Sequence, residues 1–409
     1  MEPRGMVQSC NAEAIASYAD LLAGQQAEAA LIYMPGSGAG LGSAARAHGR
    51  YLLDFDPLDS WLLGILTPQG PQQSQSLAAC ATPNYFLAAH AARHRPDLRV
   101  QYVPAVQFSG WLAAQLGGRQ RLGLIGGGEM PAWLQQAAQA ALPGATWLAL
   151  DQAAHRQRQQ KTPRDLARHA AAAGLVDALF AAVPGLLGAP NSASAPLSAP
   201  QLQEMIRRTA WDLGCADCRS WISFGPQGND ADILAPDPAQ SAARADIITV
   251  GLMLTLDGAF GHAIRSFCRG RPAAGLLAAH DALKAASDHL FAGLRPGPHA
   301  ASRIARLEAE AGTELAARGF SQGFAFRLGH ALGYAYEDPP LAALFQQPFD
   351  ARQGAAPLAD ETILAPSLFE LHPSLHLPGQ GLIALGDMLL VEPGANRWLL
   401  TTPRDLLPL

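Results

Sequence analysis

Two different rhythms of apolar and polar positions run along the chain. In the first part, short apolar runs at residues 29–34, 61–66 and 121–125 alternate with helical spacing such as that of residues 132–142. Strands taking turns with helices across residues 1–150 predict a small α/β domain. The glycine-rich residues 35–42 follow the first of these strands, but no acidic residue stands about 20 positions later as a dinucleotide site requires, so they read as a turn.

A polar, basic run, Arg156-Gln157-Arg158-Gln159-Gln160-Lys161, marks the domain junction, giving 1–158 and 159–409. Behind it Thr162 reads as the cap and Pro163 as the first turn of a helix reaching about residue 182. Residues 184–200, rich in Pro, Gly, Ser and Ala, read as an extended loop. The apolar residues 245–256 end on Asp257-Gly258, a strong short hairpin signal, and a second strand follows it. Helical patterns at 272–293 and 300–318 flank Arg295-Pro296-Gly297-Pro298, and an alternating strand occupies 382–391.

Length and composition add bounds. With 409 residues, 49% of them hydrophobic, the chain is long enough for two cores. A net charge of −5 favours neither nucleic acid nor an anionic membrane as partner. No segment reads as a signal peptide or as a run of about 20 apolar residues, and five cysteines fit a reducing compartment. The expectation is a cytoplasmic protein in which Cys215 and Cys218 are ordinary thiols.

Candidate chemistry centres on Gly329-His330-Ala331-Leu332-Gly333-Tyr334-Ala335-Tyr336-Glu337-Asp338-Pro339-Pro340, a histidine between glycines followed by acids and a Pro-Pro stop. Four motifs occur in order: the Asp257-Gly258 hairpin followed by Arg265-Ser266-Phe267, Pro-Gly between two helices, Gly-His-Ala-Leu-Gly, and Pro378-Gly379 with Gly386-Asp387 near the end. Together they resemble the C-terminal domain of the pita-bread metallopeptidases, the family of aminopeptidase P, prolidase, methionine aminopeptidase and creatinase. The resemblance covers residues 159–409, with a weaker likeness of the first 150 residues to the N-terminal domain of the longer members. It implies an α/β N-terminal domain followed by an α+β pita-bread domain.

The resemblance also implies two metal ions held by Asp, Asp, His, Glu and Glu. Here those positions carry Gly251, His262, His330, His372 and Gly386, so only the histidine is kept. Three histidines around the second ion's position imply a mononuclear centre for one divalent transition metal, zinc, iron or copper, since imidazole suits all three. Gly251 and Gly386 are expected to vacate space for a substrate.

Glu337 falls where the family has a substrate-contacting histidine, and is read as a general base, as a carboxylate that orients a ligand histidine, or as a solvated loop acid. His376 is either a fourth ligand or substrate contact, or a partly buried stand-in for an aromatic. Arg265 is read as structural. A proton-carrying histidine expected upstream is missing from residues 228–235, which argues against a metal-free, creatinase-like mechanism. Arg46, His48 and Arg50 read as surface residues and candidates for a homodimer interface. The leading functional expectation is C–N or amide hydrolysis on a small amino-acid-like molecule; the alternatives are iron- or copper-dependent oxidation at the same histidines and an inactive binding module.

Overall fold

The computed structural model describes residues 11–40, 42–68, 77–188, 197–215, 217–226, 238–320, 328–338 and 362–409. They divide into two compact units. One holds the described residues up to Arg158 together with Tyr334–Asp338, and the other those from Gln159 to Gly333 and the C-terminal segment.

In the first unit α1 (Ala12–Gly24), β1 (Ala29–Pro35), α2 (Ala44–Leu53), β2 (Trp61–Leu66), β3 (Leu77–Thr82), α3 (Tyr85–His94), β4 (Val100–Tyr102), α4 (Phe108–Leu116), β5 (Arg121–Ile125), α5 (Ala132–Ala141), β6 (Thr146–Ala149) and α6 (Asp151–Gln157) follow in sequence. The sheet runs β4-β3-β2-β1-β5-β6. Both faces of β1 are covered, Ala30, Ile32 and Met34 facing one core and Ala29, Leu31 and Tyr33 the other, which is why the run carries no polar alternation.

Tyr334 and Ala335 belong to the first of these cores, and Asp338 forms a buried ion pair with Arg158 at 2.7 Å. This short segment therefore departs from the contiguous 159–409 domain of the sequence reading. His48 departs too: it is fully buried, with Nδ1 2.7 Å from Tyr18 Oη and 2.7 Å from Arg158 Nη1, rather than at the surface.

The second unit contains α7 (Pro163–Gly188), α8 (Ala199–Asp212), β7 (Asp217–Gly225), β8 (Ile247–Leu256), β9 (Ala259–Cys268), α9 (Ala274–Gly293), α10 (Ala300–Ala317), β10 (Gly329–Ala331), β11 (Ser367–Leu371), β12 (Ser374–Leu377), β13 (Gly381–Ala384), β14 (Asp387–Val391), β15 (Arg397–Trp398) and β16 (Leu407–Pro408). Its sheets among the described residues are β16-β9-β8-β7, β10-β11-β14-β15 and β12-β13. With the six-stranded α/β sheet of the first unit, this is the α/β plus α+β pita-bread architecture.

Thr162 caps α7: its Oγ1 accepts the Asp165 N–H at 3.2 Å while the Asp165 carboxylate accepts the Thr162 N–H at 2.9 Å. The helix runs beyond residue 182, with Pro184 inside its final turns, so the expected loop begins later. By length and composition α7 is apolar enough to cross a membrane, contrary to the sequence reading. In this fold it packs on β8 and β9 through a face that includes Val176, Leu179, Phe180 and Val183, and it buries Asp165, Arg168 and His169 near its start.

Asp257 and Gly258, at φ 49° and 83°, form the turn between β8 and β9, the geometry for which Asp-Gly is selected. The expected strand at 382–391 is instead β13 and β14, broken at Leu385-Gly386, where Gly386 makes an isolated antiparallel bridge to Ile264.

Candidate metal centre

The hairpin turn fixes the register of β9 against β8, opposing His262 to Met253 and Ile264 to Gly251. On β11 the pleat sends Phe369 and Leu371 into the core beneath α9 and α10 and leaves Glu370 on the opposite face. His330 on β10 pairs directly with Glu370, and His372, two residues along, continues on the Glu370 side. Gly329 permits that pairing, because a Cβ there would collide with the Glu370 carbonyl.

Four side chains converge. Glu370 Oε2 is 3.4 Å from His262 Nδ1, 3.4 Å from His372 Nε2 and 3.8 Å from His330 Nε2. Glu370 is 0% exposed and the three histidines are 1%, 2% and 7% exposed in chain order. The His262 and His330 rings stack with centroids 5.6 Å apart, and Trp221 closes on His262 edge-on at 5.1 Å. Suitable donor atoms of His262, His330 and Glu370 all lie within 4.8 Å of one another.

His262, His330 and Glu370 form a group whose donor atoms could hold a metal ion. Ligands about 2.0–2.1 Å from a tetrahedral ion stand about 3.4 Å apart, which is the spacing of Glu370 Oε2 to two of the imidazoles. Tautomer chemistry agrees. His330 Nδ1 lies 2.9 Å from the Ala331 carbonyl, which can only accept, so this nitrogen donates and a neutral His330 turns the bare lone pair of Nε2 toward the carboxylate. A histidine oriented from its other nitrogen by a carbonyl is the usual arrangement for a ligand.

The structure brings His262, His330 and His372, the three histidines singled out in the sequence, around Glu370, which the sequence reading did not name. The signal for it was an acid between Phe369 and Leu371 in an otherwise apolar strand, where a buried charge demands a partner. Gly251 and Gly386 do not leave open space. A Cβ at Gly386 would stand 2.6 Å from Glu370 Oε1, and one at Gly251 would stand 2.8 Å from Trp221 Cε3. The room they release is taken by a carboxylate and an indole of the same chain.

His376 lies exposed on β12, opposite Leu382, and is not among the four convergent side chains. Glu337 is 3% exposed, not solvated, and belongs to the Tyr334–Asp338 segment of the first unit. Cys215 and Cys218 are buried thiols whose ionisation is disfavoured by burial, that of Cys218 pushed up to about 12. The loop at 228–235, from which the upstream histidine is missing, lies outside the described residues.

The model of metallopeptidase family M24 matches residues 167–393, more than half of the chain. No curated protein matches it. Among solved structures it is similar to the X-Pro aminopeptidase of Thermotoga maritima MSB8, with 15% identity over 97% of this chain and 99% of that one and a TM-score of 0.72. A dipeptidase PepE from Mycobacterium ulcerans shares 20% identity over 97% of each chain, with a TM-score of 0.67. The N-terminal domain of the FACT complex subunit SPT16 from Cicer arietinum is also similar, with 13% identity over 96% of each chain and a TM-score of 0.67. At such identities these likenesses establish the fold alone, and the family rests on the matched model. The chain therefore belongs to metallopeptidase family M24, and it is a hydrolase-like metalloenzyme of that family.

Proposed function

We propose that the chain hydrolyses a C–N or amide bond of a small amino-acid-like molecule at a centre for one divalent transition metal. His262, His330 and Glu370 would hold the ion, with His372 as a further donor. The observation that carries this reading is the convergence of the three imidazoles on one fully buried carboxylate oxygen at 3.4–3.8 Å. When bound, the ion supplies an acidified water and a Lewis acid for the scissile carbonyl.

The remaining work falls to the chain. Glu370 offsets part of the ion's charge, and the Ala331 carbonyl orients His330. Trp221 fills the side left by Gly251, where a second ion would otherwise have been held. The protein is proposed to act in the cytoplasm as a homodimer.

The test is reconstitution. Metal-depleted protein is loaded separately with zinc, iron(II) and copper, then assayed on a panel of dipeptides, N-acyl amino acids and amidino acids, with dissolved oxygen recorded alongside. Hydrolysis that requires the added metal and is lost in Glu370→Ala and His262→Ala supports the assignment. Oxygen consumption coupled to substrate loss in the iron or copper form would transfer the site to oxidative chemistry.

A further inference from the structure

We infer that Arg265, with the C-terminal strap at residues 401–405, is the positioning device that sets the spacing of the metal donors. The inference rests on the one-metal reading of the site.

Arg265 is 0% exposed, and each of its five N–H groups has an acceptor. Nε donates to Pro403 O at 2.9 Å. Nη1 donates to Ile264 O at 2.9 Å and to Gly386 O. Nη2 donates to Asp387 Oδ1 at 2.6 Å and to Thr402 O at 3.1 Å. Two of these acceptors, Ile264 O and Gly386 O, belong to the backbone bridge between β9 and the start of β14, where Ile264 N–H donates to Gly386 O at 3.2 Å and Gly386 N–H to Ile264 O at 2.8 Å.

That bridge lies directly under the donors. His262 is two residues before Ile264 on the same face of β9, and the Glu370 carboxylate rests against Gly386. One guanidinium thus pins the junction of the strand bearing His262 with Gly386, the residue against which the Glu370 carboxylate rests. A shift of β9 against β14 would open the 3.4 Å spacing between these two donors.

The strap holds the guanidinium from the far side. The Asp177 carboxylate accepts the N–H groups of Thr401 and Thr402, at 2.9 and 2.8 Å, and both hydroxyls, at 2.7 and 2.6 Å. Arg404 donates to Asp387 Oδ2 at 2.8 Å and to Ser287 Oγ at 2.9 Å, and it covers Trp398 at 4.3 Å. Asp387 is thereby shared between two arginines, one on the β9 side and one on the strap. A role limited to stability would not need the guanidinium to address both carbonyls of the bridge beneath the donors.

The experiment uses the full chain and Arg265→Lys, which keeps the charge but loses the planar fork. Zinc affinity is measured by competition with a chelating dye, the visible absorption of the cobalt(II)-loaded protein is recorded, and thermal unfolding of metal-free protein reports the fold. Leu134→Ala, in the core of the first unit, is the control for general destabilisation. Arg265→Lys is expected to weaken zinc binding about tenfold or more and to change the cobalt spectrum, with the control unchanged in both. If Arg265→Lys does not fold, Arg404→Gln, which removes the arm to Asp387 Oδ2 together with the contacts to Ser287 and Trp398, decides in its place, with a smaller loss of affinity expected in the same direction.

A folded variant whose zinc affinity stays within about twofold of wild type and whose cobalt spectrum is unaltered overturns the inference. So does an equal loss in the Leu134→Ala control. Wild-type protein that binds no zinc or cobalt overturns the one-metal reading and this inference with it. Tight wild-type binding beside an unaffected variant overturns the inference alone.

Discussion

Acid should weaken this protein through one buried histidine. His280 on α9 is 3% exposed, and burial is the main cause that lowers its pKa from 6.5 to about 4, with Lys284 and Arg265 adding to the effect and Asp281 and Asp405 opposing it. The folded-state value is depressed, so between pH 6.5 and about 4 the unfolded chain binds the extra proton and the folded chain does not. Stability is complete above 6.5, falls as the pH drops, and reaches its full loss below about 4.

At about 1.4 kcal/mol per pKa unit the full loss is about 3 kcal/mol, of which about 2 kcal/mol is reached at pH 5. Urea unfolding of wild type and His280→Gln at pH 7 and pH 5 isolates this contribution, because every other titrating group is common to both proteins. Wild type should lose about 2 kcal/mol more than the variant over that interval. A difference below about 0.5 kcal/mol would show that His280 takes up its proton in the fold without penalty.

Asp338→Asn leaves the buried Arg158 charge uncompensated and should cost about 3–5 kcal/mol in urea unfolding, whereas a cost under about 1 kcal/mol would mean that water or another group replaces the carboxylate. Gly386→Ala puts a methyl 2.6 Å from Glu370 Oε1 and should lower zinc affinity about tenfold, while Gly394→Ala, which meets nothing within 4 Å, should leave it unchanged. Cys218, buried and with its thiol pushed up to about 12, should resist a disulfide reagent at pH 8 until the protein unfolds, and rapid modification of the native state would contradict that placement.

Much of the fold was legible because its signals are local. Thr162-Pro163 and Asp257-Gly258 act through their own backbone, and the apolar run of β1 declares a strand covered on both faces. Pro184 misled because α7 tolerates it inside its final turns, where the preceding residues are already packed. The Tyr334–Asp338 segment could not be assigned from spacing, since its place depends on Arg158, far away in the sequence.

In the site, the histidines could be read because each stands at a motif position. Glu370 could not be placed that way. Its carboxylate reaches the histidines from a neighbouring strand, and only the packing of β11 beside Gly386 reveals that a deleted side chain at one position made room for a longer one at another. Gly251 and Trp221 repeat the lesson: a glycine in a sequence looks like vacated space until the residue opposite it in the sheet is known.

A single-ion centre in which Glu370 stands among the histidines would reveal itself in the metal stoichiometry of the purified protein. Wild-type protein expressed with zinc, iron and copper supplied should carry one transition-metal ion per chain, and Glu370→Ala and His262→Ala should each carry far less while remaining folded. No bound metal in the wild type, two ions per chain, or full occupancy in Glu370→Ala would contradict it.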